Sequence, residues 1–305
     1  MPATRALTLY LGELDQPVIT DYQIAIFLHQ AYKDRKYKDI PVKSTASSLS
    51  REILKKKIIQ FCNTGILSRY ASFGGNRVYS IMGKKGFDAG DVACSVDPFA
   101  YVSHLSALAY HGLTNRIPST LYVSSPKPKL WAEFAVQRMK KDLGDDLQEY
   151  LEHGLPKLMR ISMKKIGKTP ISIHSSIHLG AFKLVRGRSI RVSTIGRTFL
   201  DMVREPSLCG GMRHCVEIYK EHGKIYRPLI VDELNQHGTQ IEKTRVGYLL
   251  EEVVGITGDP ALEEWASHVQ RGGSRKLDPA NEYEPVYSKK WCISINVQDL
   301  GVDHE

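Results

Sequence analysis

Along "REILKKKIIQFCN", apolar residues fall on one side of a helical wheel. Leu54, Ile58, Phe61 and Cys62 stand at i, i+4, i+7 and i+8. Lys56 and Gln60 point the other way, with Arg51 and Lys55 on the flank. Ser48 or Ser50 suits the N-cap, and Gly65 follows the last turn, where a residue at positive φ is expected. The period then shortens to two. "ILSRYASFGGNRVYSI" reads as a hairpin turning at Gly74-Gly75-Asn76. Upstream, Leu7, Leu11 and Leu14 mark one helix, and Ile24, Phe27 and Leu28 mark a second behind the caps Thr20 and Asp21. "PVIT" between them is short and extended. Helix, short strand, helix, helix, hairpin is the order of a winged helix-turn-helix domain. "KDRKYKDIPVKSTASS" exceeds the usual turn of about 3–4 residues, and is expected to be an inserted loop able to meet phosphate.

"GKKGFDAGDVACSVDP" has the Gly, Asp and Pro punctuation of a linker out of this domain. Next, "DPFAYVSHLSALAYHGLT" predicts a helix opening at Pro98, with Val102, Leu105, Ala109 and Leu113 along one face. "STLYVSSP" and "PISIHSS" are strands, and "AFKLVRGRSIRVST" is a hairpin turning at Arg186-Gly187. Between them, residues 126–168 are charged and mainly helical with no cleanly repeating apolar face, as in an insertion. Thr194 caps "IGRTFLDMVREP", and three or four further helical stretches, a loop and a strand complete the body. The fold class expected is α+β: an N-terminal winged helix-turn-helix domain followed by a larger mixed α/β C-terminal domain. The boundaries expected are 1–95 including the linker, 96–297 with the insertion at about 126–168, and a polar tail over 298–305.

Charge sharpens this division. Of the net +9, residues 1–86 carry fourteen Lys/Arg against six Asp/Glu, a net of +8, and the remainder is nearly balanced at +1. Such asymmetry points to a nucleic-acid module joined to a body with another task. No apolar run approaches the roughly 20 residues of a membrane span, and the N-terminus lacks a secretory apolar segment. The five cysteines are odd in number and form no CxxC pair, which favours reduced thiols and a cytoplasmic location.

Catalytic patterns are missing. The chain has no Gly-rich phosphate loop, HExxH or GxSxG. "SLCGGMRHC" gathers Cys209, His214 and Cys215, but Cys215 falls among helix core positions and no second ligand pair has zinc spacing. His104 and His111 suit a half-buried packing pair better than a ligand site. Arg197 and Asp201 at i, i+4 are an ordinary helix ion pair. No metal, cofactor or catalytic residue is expected, and an enzyme is not supported.

"YVSHLSALAYHGLTNRIPSTLYVSSPK", "STIGRTFLDMVREPSLCGG", "TRVGYLLEE" and "GSRKLDP" with Trp291 downstream occur in that order. On these motifs the chain resembles the AbiEi-type antitoxins, the transcriptional-regulator partners in type IV toxin–antitoxin systems of abortive infection, a form of phage defence. The resemblance implies an N-terminal winged helix that binds promoter DNA of its own operon as an autorepressor. It also implies a C-terminal domain carrying antitoxin activity against a nucleotidyltransferase-like toxin, opposed without a stable inhibitory complex. The long loop at 31–47 and the insertion exceed the family's compact pattern.

With duplex DNA as partner, Ser48, Ser50, Arg51 and Lys55 are the best base or phosphate contacts, with Lys56 next. Arg69 lies on the hairpin, and Asn76 and Arg77 at its tip reach backbone or minor groove. Arg186, Arg188 and Arg191, with the lysines of the insertion, form an expected second basic surface. The family motif residues Gly112, Gly247, Arg197, Asp201 and Arg245 read as structure, the charged ones as a buried polar network. Two alternatives stand: a nuclease-like or kinase-like enzyme guided by the winged helix, and a plain regulator with no toxin partner.

Overall fold

The computed structural model describes residues 1–43, 46–177, 179–269 and 275–297, so the expected polar tail lies outside the described residues. The chain is mixed α/β and forms two compact units. The first comprises Met1–Tyr101, Ser124–Ile177 and Leu184–Arg191; the second comprises Val102–Val123, His178–Lys183 and Val192–Glu305.

The first unit opens with α1 (Ala3–Glu13), which buries Ala3, Ala6, Leu7 and Leu11. Then β1 (Val18–Thr20) leads into α2 (Asp21–Asp34). Thr20 and Gln23 cap α2 reciprocally: the Gln23 N–H donates to Thr20 Oγ1, and the Thr20 N–H donates to Gln23 Oε1. Part of the expected loop is a small hairpin of β2 (Lys36–Tyr37) and β3 (Ile40–Pro41), tied down where Tyr37 Oη and Lys38 Nζ both donate to Glu13. Helix α3 (Arg51–Asn63) and the hairpin of β4 (Leu67–Arg69) and β5 (Val78–Ile81) follow as the periodicity predicts. The strands form an antiparallel sheet in the order β1-β5-β4.

The stretch expected to be a linker is instead helix α4 (Ala89–Val96), buried from Gly90 onward. Its start is fixed by Asp88, whose Oδ1 accepts from the N–H groups of Gly90 and Asp91. Pro98 starts no helix. Tyr101–Val102 is strand β6, and α5 (His104–Tyr110) begins only after Ser103. β7 (Leu121–Pro126) has its first three residues in the second unit and its last three in the first.

The expected insertion folds as α6 (Pro128–Leu143), α7 (Leu147–Glu152), and the hairpin of β8 (Lys165–Ile166) and β9 (Thr169–Ser176). An apolar face is present after all: Trp131, Ala135, Met139 and Leu143 recur at every fourth position and are buried. Met139, Leu143, Tyr150 and Leu155 share one core with Leu7, Leu28, Leu54 and Phe61. Residues 128–177 thus belong to the N-terminal unit, where the expected boundaries put them in the body. Asp97 reinforces the assignment. Its carboxylate accepts from Trp131 Nε1 at 2.9 Å, Ser125 Oγ at 2.7 Å and the Phe99 N–H at 2.9 Å.

β10 (Phe182–Leu184) and β11 (Arg191–Ser193) form the expected hairpin with Gly187 at its turn. In the second unit, Val192 of β11 pairs in parallel with Val102. α8 (Ile195–Arg204), capped by Thr194, packs along α9 (Met212–His237) through Phe199, Leu200 and Val203 against Tyr219, Ile230 and Leu234. Gly196 permits the approach, because a Cβ there would lie 2.3 Å from the Leu229 carbonyl oxygen. "GGMRHCVEIYKEHG" and "RPLIVDELNQHG", two separate helical stretches by pattern, are one helix: α9 runs unbroken through Pro228. α10 (Gln240–Tyr248) continues into a π-helical turn at Leu249–Val253. α11 (Pro260–Ser267) and the pair β12 (Tyr287–Ser288) and β13 (Ile293–Ser294) close the unit.

Candidate nucleic-acid interface

Divided by compact unit rather than by position in the chain, the charge separates further. The first unit holds twenty-seven Lys/Arg against fifteen Asp/Glu, net +12; the second holds fifteen against eighteen, net −3. The lysines of α6 and of the segment after it therefore add to the basic unit.

Within this unit α3 turns Leu54 and Phe61 into the core and presents Arg51, Glu52, Lys55, Lys56, Ile59 and Gln60 to solvent. Ser50 is consumed by the cap: its Oγ accepts from the Ile53 N–H at 3.3 Å. Glu52 is held below the usual carboxylate range by its own backbone N–H and by the Ser50 hydroxyl. Ser48 is half-buried on the approach to the helix. The exposed cations Arg51, Lys55 and Lys56 are thus the α3 groups best placed for phosphate or base edges. Ile59 was missed by sequence reasoning. It is 53% exposed, one turn beyond Lys55 and Lys56, an apolar group set among cations. The signal was present, since Ile59 falls off the stripe of Leu54, Ile58 and Phe61.

Arg69, exposed on β4, pairs in register with Tyr79 of β5. Beyond it the turn packs on its own aromatics, with Tyr70 and Phe73 ring centroids 5.3 Å apart, and Gly75 at φ 80° carries the reversal. Asn76 stands in this turn; its side chain lies outside the described residues. Arg77 does not reach out from the tip. It is half-buried, its guanidinium meets the Met159 sulfur, and its charge moderates Asp21, whose pKa is raised by burial.

Of the second basic surface expected at the β10–β11 hairpin, with Lys183 beside the three arginines, Lys183 and Arg186 are exposed, whereas Arg188 and Arg191 are drawn into the fold. Arg188 is ion-paired with Asp88 and with fully buried Asp91. Arg191 donates to the carbonyls of Ala100, Cys94 and Asp97 at 2.7–2.8 Å. Both side chains are tied internally by the helix-capping region of α4, which the sequence does not pair with them.

In the second unit the charged motif residues lie below the surface. Arg197 Nε donates to Asp201 Oδ1 at 2.8 Å, and Glu233 stands 3.9 Å from its Nη1. Burial raises the pKa of Glu233. Arg245 donates to the carbonyls of Lys276 and Val203 at 3.0 Å. Gly247 lets the Trp291 ring approach, and Gly112 has φ 67°. Cys209 and Cys215 are fully buried, with burial pushing the Cys209 thiol well up, and His214 bonds Thr114 Oγ1 at 3.0 Å. These arrangements hold helices together. Among the described residues no group of His, Cys, Asp and Glu is arranged to hold a metal ion, and no helix is long and apolar enough to cross a membrane.

No protein-family model matches the chain, and no curated protein matches it. Among solved structures it is similar to the RV2827C protein from Mycobacterium tuberculosis. The two are 13% identical, with a TM-score of 0.47 over 95% of this chain and 90% of that one.

Proposed function

We propose that this chain is a DNA-binding autorepressor and the antitoxin of a type IV toxin–antitoxin system, as its sequence motifs suggest. The N-terminal unit is read as a winged helix-turn-helix in which α3 enters the major groove and the β4–β5 hairpin is the wing. One observation carries this reading. The exposed face of α3 sets Arg51, Lys55 and Lys56 around Ile59, beside a hairpin bearing Arg69, in a unit of net charge +12. Phosphate attraction supplies affinity, and groove contacts supply sequence preference. The second unit, whose motif charges Arg197, Asp201 and Arg245 are bonded internally, is the part assigned to antitoxicity toward a nucleotidyltransferase-like toxin.

The test uses the full-length protein and a duplex from immediately upstream of its own gene. In a salt titration by fluorescence anisotropy, Lys55→Ala with Lys56→Ala lowers affinity for every duplex and reduces the salt slope by about 1 per phosphate lost. Ile59→Ala lowers preference for the upstream duplex over a scrambled one and leaves the salt slope unchanged. A flat salt response of the unaltered protein rules out the DNA reading. For the antitoxin role, co-expression must restore growth to cells making the toxin encoded beside it, and failure with soluble protein present rules that role out.

A further inference from the structure

The β8–β9 hairpin stands next to the β4–β5 hairpin. The N–H of Gly167, at the tip of β8–β9, donates to Ser72 Oγ in the β4–β5 connection at 3.3 Å. The segment leading to it follows the same side of the unit. A Cβ at Gly154 would lie 3.9 Å from Arg51 Cδ at the start of α3, and Met159 meets Arg77. Three contacts, spread over residues 154–167, thus lay this segment along the N-terminal end of α3 and the hairpin after it.

The side chains divide cleanly by role. Met163 and Ile166 are 3% exposed and anchor the hairpin. The pairing Lys165↔Pro170 and Ile166↔Thr169 leaves Gly167 and Lys168 as a two-residue loop, with Gly167 at φ 58°. Lys164, Lys165 and Lys168 are all exposed, and among the described residues no hydrogen bond or ion pair engages their ammonium groups. That separates them from Arg188 and Arg191, whose guanidinium groups are occupied by the protein itself.

We propose that the β8–β9 hairpin is a second DNA-binding tip, at which Lys164, Lys165 and Lys168 hold duplex phosphates beside the β4–β5 hairpin. It rests on the DNA-binding reading above and extends the contact beyond α3 and its wing. Lysine ammonium groups on a short loop act as point charges without the fork that reads bases, so this tip adds affinity and no sequence preference.

The experiment compares three full-length proteins with the unaltered one: K164A/K165A/K168A, K164R/K165R/K168R and K55A/K56A. Each is titrated against the upstream duplex and a scrambled duplex of equal length. The triple alanine variant should bind both duplexes at least about tenfold more weakly by the same factor. Its salt slope should fall by about 0.9 for each phosphate contact removed. The triple arginine variant should restore affinity, because the charge is retained, and matching circular dichroism melts establish that all variants fold. Wild-type affinity and slope in the alanine variant, with K55A/K56A impaired, overturn this second tip and leave the α3 reading standing. If K55A/K56A also binds like the unaltered protein, the placement of α3 in the groove fails with it, whereas the DNA reading itself fails only if the unaltered protein shows no salt-dependent binding. Equal loss in the alanine and arginine variants likewise overturns the tip, since charge is then not what matters.

Discussion

Tyr150 offers a direct test of whether residues 128–158 complete the N-terminal core. Its side chain is fully buried, its ring packs edge-on to His29 of α2 at 5.4 Å, and its hydroxyl donates to the Pro156 carbonyl at 2.7 Å. Tyr150→Phe removes only the hydrogen bond and leaves the ring. The expected cost is about 1–2 kcal/mol, the loss of one partly buried bond to a backbone acceptor. Tyr150→Ala removes the ring as well and opens a cavity beside His29 in the core that Tyr150 shares with Leu28 and Leu143, and large aromatic truncations cost about 3–5 kcal/mol. For a unit of this size that lowers the melting temperature by roughly 6–20 °C. Urea unfolding followed by far-UV circular dichroism, repeated in a Trp131→Phe background so that near-UV tryptophan bands report Trp265 and Trp291 alone, separates the two transitions. Were α6 and α7 an appendage rather than part of the core, Tyr150→Ala would shift neither transition beyond about 0.5 kcal/mol. That outcome refutes the assignment of this segment to the N-terminal unit.

In the second unit, Gly247→Ala should destabilise although alanine favours helix by about 1 kcal/mol. A Cβ there would stand 2.1 Å from the ring of fully buried Trp291, and overpacking of this kind costs about 1–3 kcal/mol or more; a melting temperature at or above that of the unaltered protein contradicts it. Acid should also weaken the protein. His29, His111 and His214 are held below the ordinary histidine range, each chiefly by burial. With folded values depressed, the unfolded chain takes up protons first as pH falls, so stability is complete above about pH 6.5 and declines below it. Each histidine contributes at most about 1.4 kcal/mol per pH unit. His111→Gln keeps a donor for the Ser193 carbonyl, which His111 Nε2 meets at 2.7 Å, and removes one titration. Stability measured by urea unfolding from about pH 7 to 5 should then fall less steeply, and an unaltered slope excludes His111.

Local order was legible in the sequence wherever neighbours in the chain decide it. The Thr20 cap, the Ser50 cap, Gly65 after α3 and the hairpin centred on Gly75 all depend on backbone geometry within a few residues, and all stand where the pattern placed them. The excess of positive charge in the first 86 residues was likewise a property of composition alone. Tertiary structure decided which distant segments belong together. Trp131, Ala135, Met139 and Leu143 are four apolar positions in a helix otherwise rich in Lys and Arg, and only tertiary contact turns that stripe into core. Met139 and Leu143 join the cluster of Leu28 and Leu54, and Trp131 packs on Phe99. Tertiary contact also distinguished the cations. Arg188 and Arg191 look as free in the sequence as Lys165 and Lys168, yet Asp88, Asp91 and three carbonyls of the α4 region occupy them. A charge is available to a partner only if its own fold leaves it unpaired, and those partners lie about ninety or more residues away in the chain.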